Sequence, residues 1–305
     1  MEKLIALGGQ TGSGKTTLSI RLAKHFNCEI INADSRQVYK SLNIGTAKEN
    51  IEKRFSDGTL SIHGIEHHLI DILEPEQPFD LRQYQKLAFD SINKILGQGK
   101  IPMLVGGTGL YIDSVVYNFN LFKQDLDSKH REEMRQKPLG ELQDLLKALD
   151  LIRYDQMTES DQKNPHRLIR AIEKAGISET EVKKQEPKYD YLYLGISISP
   201  EILNDRINKR VDSMFKNGLI EENKALRESS LTTELGSMKS IGYQEFDKYF
   251  ANEQSIEETK DLIKIHTRQY AKRQLTWFKK NSDVVWIKDF DEASKRVEKF
   301  LSNHS

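Results

Sequence analysis

The ten residues GGQTGSGKTT at positions 8–17, placed directly after the apolar run Leu4-Ile5-Ala6-Leu7, constrain the fold of this chain more than any other stretch. They fill the pattern G-x-x-x-x-G-K-[ST] with Gly9, Gly14, Lys15 and Thr16, and Thr17 to Lys24 then place their apolar residues on one helical face. Strand, glycine-rich loop and helix in that order form a phosphate cradle. The loop curls so that its N–H groups and the positive end of the helix dipole point at the anion, Lys15 adds a mobile charge, and the Thr16 hydroxyl is placed to hold Mg²⁺. The competing reading is a glycine-rich turn that only caps a helix.

The chain has 305 residues, enough for one α/β domain carrying a substantial insertion. No apolar stretch approaches the roughly 20 residues a membrane helix needs. The start MEKLIALGG runs straight into the first expected strand and leaves no room for a leader, so a cytoplasmic location with no membrane partner is expected. The single cysteine, Cys28, excludes an internal disulfide and thiolate-based metal sites, and reads as a core thiol. With 46 basic and 46 acidic residues, overall charge gives no argument for nucleic acid, so any basic surface is local. The segment KIHTRQYAKRQLTWFKK (264–280) holds several Lys and Arg and no acid. On a helix, its Ile265, Tyr270, Leu275 and Trp277 would partly face a core, with the cations opposite. A merely solvated helix face remains the other reading.

Through the first third, short apolar runs alternate with helical stretches: LIALG, the helix after the cradle, EIINAD, HHLIDIL, the helix LRQYQKLAFDSINKIL, then IPMLVGG. That alternation predicts a parallel sheet covered on both faces. From about Phe122 to Lys188 strand signals vanish, and the amphipathic patterns LGELQDLLKALD and PHRLIRAIEKAG indicate a helical insertion. YDYLYLGISIS then resumes a buried strand, one long helix is expected from Ser199 to Ser229, and DVVWIKDF supplies a late strand before a closing helix.

Three further constellations bear on chemistry. HGIEH (63–67) matches H-x-x-E-H, but Gly64 interrupts it and a strand-like run follows, so the helix that a zinc site needs is missing. Asp34 falls where the second strand should end, and ligands of open α/β sheets sit outside the carboxyl ends of strands. It reads either as a helix N-cap or as a carboxylate that takes a proton from an acceptor. VGGTGLY (105–111) ends another strand, with Thr108 offering a hydroxyl toward the same rim, or forms a simple tight turn.

Taken together, GGQTGSGKT, NADSRQVYKSLNIGTAK, HHLIDI, IPMLVGGTGLYI, NPHRLIRAIE, RINKRVDSMFKNGLIEE, SIGYQE and TRQYAKRQLTWFKK resemble, in order and spacing over nearly the whole chain, the bacterial tRNA dimethylallyltransferases, also called tRNA isopentenyltransferases. The resemblance implies a P-loop NTPase-like α/β fold: a parallel sheet with helices on both faces, in core segments 1–121 and 189–305, and a helical insertion domain at 122–188 that clasps tRNA. It implies a prenyltransferase whose P-loop holds dimethylallyl diphosphate rather than hydrolysing ATP. The acceptor is the N6 amine of the adenosine 3′ of the anticodon in tRNAs reading codons that begin with U.

By the same resemblance, Asp34 is the general base, Thr108 lies near the reacting centre, and Arg210 joins Lys15 on the departing diphosphate. The diphosphate cradle is Gly9, Gln10, Thr11, Gly12, Ser13, Gly14, Lys15 and Thr16, with Mg²⁺ on Thr16. The tRNA anticodon stem-loop meets Asp34, Ser35, Arg36 and Gln37, then His166, Arg167, Leu168, Ile169 and Arg170, then Lys239, Ser240, Ile241, Gly242, Tyr243 and Gln244, while Lys272 and Arg273 could reach phosphates. A monomer is expected. Gln10 and Glu49 stand where the family usually has proline, which concerns loop stiffness. The rivals are an adenylate isopentenyltransferase, a small-molecule kinase using Asp34 as base, and a non-catalytic RNA-binding protein.

Overall fold

The computed structural model describes residues 1–121, 133–175, 184–229, 231 and 235–303. It divides into two compact units, Met1–Asn118 with Gln185–Ser305, and Phe119–Lys184. The first unit begins with β1 (Lys3–Gly8), α1 (Lys15–Phe26) and β2 (Cys28–Asn32). The hairpin strands β3 (Lys53–Arg54), β4 (Leu60–Ile62) and β5 (Ile65–His68) follow, then α2 (Leu81–Gly97), β6 (Ile101–Gly106) and α3 (Gly109–Val116). The second unit holds α4 (Leu139–Leu149), α5 (Leu151–Gln156), α6 (Glu159–Gln162) and α7 (Pro165–Lys174). The first unit resumes with β7 (Asp190–Ile196), α8 (Pro200–Lys216), α9 (Leu219–Glu228), α10 (Asp247–Phe250), α11 (Ile256–Lys279), β8 (Val285–Ile287) and α12 (Phe290–Ser302).

The strands form one sheet in the order β3-β4-β5-β2-β6-β1-β7-β8. All pairings from β5 to β8 are parallel, and only the β3-β4-β5 edge is antiparallel. The central strands are buried on both faces, which is why they read as unbroken apolar runs. Ile5 and Leu7 of β1 pack with Leu18 and Leu22 of α1 and with Ala293 and Val297 of α12. On the other face α2 and α3 cover β6. The late strands complete the early sheet, since β7 pairs with β1, matching Ile5 to Leu192, and β8 pairs with β7. Cys28 lies in this core, where burial pushes its thiol up to about 12 and keeps it un-ionised.

Three sequence expectations need correction. The run HHLIDIL is a strand only through His68, because Leu69 (φ 62°) and Asp71 (φ 54°) adopt left-handed backbone that cannot continue a pleat, and Asp71 is tied to Lys48 and Arg54. The long helix from Ser199 to Ser229 is two helices, broken at Gly218, whose φ of 97° is open to glycine at no steric cost. On α11 the buried residues are Thr259, Ile263, Ala271, Gln274 and Phe278, while Ile265 and Trp277 are 41% and 40% exposed. The buried stripe there includes polar side chains that make hydrogen bonds, so apolar spacing alone misplaces it. The HGIEH segment forms the β4–β5 hairpin, with His63 and Gly64 in its turn, and not a helix.

In the second unit, Leu142 and Leu146 of α4 pack against Leu168, Ile169 and Ile172 of α7, with Met134 closing the cluster. Asn164 caps α7 by accepting from Arg167 N, and Pro165 takes its first turn, where a missing N–H costs nothing. The stretches 122–132 and 176–183 of the expected insertion lie outside the described residues.

Candidate active site

The strand order β2-β6-β1 sets three carboxyl ends side by side, and each carries one sequence-predicted group. Beyond β1 the phosphate loop turns into α1, with Gly14 at the N-cap (φ 93°). Lys15 Nζ donates to Gly9 O at 2.9 Å and to Gln10 O at 2.8 Å, so the ammonium lies folded over its own loop. The buried Ser13 hydroxyl has no partner among the described residues, an orphan donor in the cradle of the kind a bound anion satisfies. Gln10 donates from Nε2 to Ala271 O at 3.1 Å, so a tether to α11 stiffens the loop where the family usually has proline.

Beyond β2, Asp34 Oδ1 accepts from Arg36 N at 2.8 Å, closing an Asx turn rather than capping a helix. Among the described residues, none makes a hydrogen bond to its Oδ2. Beyond β6, the Thr108 hydroxyl accepts from Ser35 N at 3.1 Å and so fastens that strand end to the Asp34 turn. Arg210 arrives from α8, half-buried, with Nη2 donating to Thr46 O at 3.4 Å.

Charge couples these groups. Burial pulls the Lys15 ammonium down to about 7, with the Asp34 carboxylate opposing and the Arg210 guanidinium reinforcing that shift. Burial likewise lowers Arg210, against the pull of Asp34 and Glu49. Tyr270 of α11 is pushed up to about 12, first by burial and then by Asp34, while hydrogen bonds with Thr108 and Gln274 oppose the rise. The result is one carboxyl group coupled to a lysine that titrates near neutrality and to an arginine, beside a neutral phenol and a hydroxyl.

One cavity opens beside this arrangement. It is lined by Thr11, Asp34 and Arg210, by Gly45 and Thr46 as one stretch of wall, by Lys239, Ile241 and Gln244 as another, and by the apolar Val211, Met214 and Ile263. Of the segment expected to meet RNA at 239–244, Lys239, Ile241 and Gln244 offer side chains, while Tyr243 is fully buried and Gly242 (φ 94°) turns the chain. Gln37 spends its amide on Thr46 O at 3.1 Å, and Arg36 donates to Gly236 O at 2.7 Å. In the second unit, His166, Arg167 and Arg170 are exposed, but Leu168 and Ile169 are buried in its core. Each residue turns a helix by about 100°, so within this expected RNA segment the side chains of Leu168 and Ile169 point into the unit's own core while those of His166, Arg167 and Arg170 point outward.

Sequence reasoning missed Gln274. Its buried side chain accepts from Thr11 N at 2.7 Å and donates to Gly107 O at 2.9 Å, joining the phosphate loop to the β6 end. Its only trace in the sequence is a polar residue at helical spacing from Ala271 and Phe278. As for a metal, the described residues hold no group of three His, Cys, Asp or Glu that could bind one. The exposed Thr16 hydroxyl fits Mg²⁺ only if the ligand's own phosphate oxygens complete the shell, a usual arrangement for this ion.

Residues 37–281 match the family model described as IPP transferase. The chain is 41% identical to a tRNA dimethylallyltransferase of Bacillus pumilus, covering 94% of this chain and 89% of that relative. It is 37% identical to a tRNA dimethylallyltransferase of Acetivibrio thermocellus, covering 97% and 96%. Among solved structures it resembles the tRNA isopentenylpyrophosphate transferase of Bacillus halodurans, with a TM-score of 0.71 at 36% identity, covering 99% of this chain and 96% of that one. It also resembles a eukaryotic dimethylallyltransferase described as acting on tRNA, with a TM-score of 0.79 at 28% identity, covering 100% and 81%. Fold, strand-end chemistry and these likenesses agree: the chain belongs to the tRNA dimethylallyltransferase (IPP transferase) family.

Proposed function

We propose that this chain transfers the dimethylallyl group of dimethylallyl diphosphate to N6 of the adenosine 3′ of the anticodon, in tRNAs reading codons that begin with U. The observation that carries this reading is the convergence of Asp34 and Arg210 on one cavity, with Lys15 of the phosphate loop coupled to both by charge and one Asp34 oxygen without a hydrogen bond among the described residues. An anion cradle and a proton acceptor side by side suit a reaction in which an anion leaves and an amine loses a proton.

The N6 lone pair attacks C1 of the dimethylallyl group, and the C1–O bond breaks with its electron pair leaving on diphosphate. Asp34 Oδ2 holds the amine and takes its proton, giving N6-isopentenyladenosine and diphosphate. An aromatic amine is a weak nucleophile, so orientation and proton removal both contribute. Lys15 swings from its carbonyls onto the diphosphate, where it, the loop N–H groups and Arg210 neutralise the growing charge. Mg²⁺, held by Thr16 and the substrate's phosphate oxygens, would add to that neutralisation. The base must leave its stack to reach Asp34, which costs less in a loop than in a duplex. Lys239, Ile241 and Gln244 at the cavity, and His166, Arg167 and Arg170 on the helical unit, are the side chains offered to the anticodon stem-loop. The chain works as a monomer, with no obligate protein partner.

The test is mass analysis of nucleosides from an anticodon stem-loop incubated with the chain, dimethylallyl diphosphate and Mg²⁺. Isopentenyladenosine at that one adenosine supports the reading. Transfer to AMP in preference to the stem-loop makes the chain an adenylate prenyltransferase, and ATP turnover without prenyl transfer makes it a kinase.

A further inference from the structure

Two stretches of the cavity wall, Gly45–Thr46 and Lys239–Gln244, hang from one helix that none of the roles above employs. On α9, the Glu222 carboxylate accepts from the backbone N–H groups of Asn43 (3.0 Å), Ile44 (2.8 Å) and Gly45 (3.1 Å). It also accepts from the Tyr243 hydroxyl at 2.8 Å. One residue on, the buried Asn223 donates to Gly242 O at 2.9 Å, and Arg227 donates to Tyr243 O at 2.9 Å. The Tyr243 ring packs so closely on Gly45 that a Cβ there would lie 2.6 Å from it. The Gly45–Thr46 wall and the Lys239–Gln244 wall are therefore fixed to each other through Glu222.

The Gly45–Thr46 wall reaches the reacting groups through one carbonyl. Thr46 O accepts from both Arg210 Nη2 and Gln37 Nε2. Resting on the function proposed above, we propose that Glu222 is a positioning residue: by pinning the Asn43–Gly45 amides it holds Thr46 O where that carbonyl aims the Arg210 guanidinium at the diphosphate. A carboxylate is suited to this, because its two oxygens accept several N–H groups at once. An amide in its place turns an N–H₂ toward backbone N–H groups and leaves some of them unpaired.

The test is a double-mutant cycle between Glu222→Gln and Arg210→Ala, read by single-turnover transfer with both substrates saturating and by equilibrium binding of inorganic diphosphate. Glu222→Gln alone is expected to slow transfer by about 10- to 100-fold, and in the Arg210→Ala background by less than about 3-fold, because the residue acts through Arg210. A purely structural role lowers the melting temperature and slows both backgrounds in the same ratio, which overturns the proposal, as does a wild-type rate in Glu222→Gln. Tyr243→Phe, which keeps the ring and removes one hydrogen bond, is expected to slow transfer by about 2- to 10-fold, with the loss again absent beside Arg210→Ala. If Glu222→Gln fails to fold, this second cycle decides. If the wild type transfers nothing, the function reading falls, and diphosphate binding still decides this one: Glu222→Gln weakens it only where Arg210 is present, and an equal weakening in both backgrounds overturns the coupling.

Discussion

The rim at the strand ends and the walls that face it are built differently. The rim comes from the backbone: adjacent parallel strands β2, β6 and β1 deliver Asp34, Thr108 and the phosphate loop to neighbouring positions wherever the sheet forms. The walls come from side-chain tethers, long in sequence from Glu222 to the Asn43–Gly45 amides and shorter from Asn223 to Gly242. Rim residues can therefore be changed for their chemistry with little effect on the fold. Wall residues that bear no chemistry matter because the site loses its shape without them.

Lys15→Ala should produce the largest effect that breaks this contrast if it fails. It removes a rim charge held by no distant partner, so single-turnover transfer should fall by about 10²- to 10³-fold with the melting temperature near wild type. A large loss of stability would mean that the rim, too, depends on tethers.

Leu168→Ala and Arg167→Ala sharpen the contrast on the helical unit, where buried and exposed residues alternate within one expected RNA segment. The first should destabilise by about 2–5 kcal/mol in denaturant unfolding. The second should leave stability unchanged and reduce the salt slope of stem-loop binding by about one.

Gln274→Ala tests one of the long tethers that the rim does have. It leaves Thr11 N and Gly107 O without their partner, and a loss of about 1–3 kcal/mol is expected in thermal unfolding.

The smallest effect concerns protons. With Lys15 at about 7 in the free site, most of its population is neutral at pH 8. A bound diphosphate favours the ammonium, so binding at pH 8 should take up approaching about one proton. Calorimetry in buffers of different ionisation enthalpy reads that uptake, and Lys15→Ala should not show it.

The sheet and the rim were legible in the sequence for a shared reason. Fully buried parallel strands must be continuous apolar runs, and a phosphate loop must be rich in glycine, so Leu4–Leu7 and Gly9–Thr16 announce themselves locally. Other features depend on tertiary partners that spacing does not encode. Asp71 leaves the pleat because Lys48 and Arg54 hold it, and α11 buries Gln274 while leaving Trp277 exposed because the phosphate loop needs an amide at that point. The family resemblance placed Tyr243 among RNA contacts, yet its hydroxyl is spent on Glu222, 21 residues earlier in the chain.

The central claim is that Asp34 removes a proton from an RNA amine while the neighbouring cradle receives diphosphate. It is tested most directly by single-turnover transfer from labelled dimethylallyl diphosphate to an anticodon stem-loop, comparing wild type with Asp34→Asn and offering AMP in parallel. The account predicts transfer to the stem-loop and not to AMP, slowed by about 10²- to 10⁴-fold in Asp34→Asn with diphosphate binding intact. Equal rates for Asp34→Asn and wild type would contradict it.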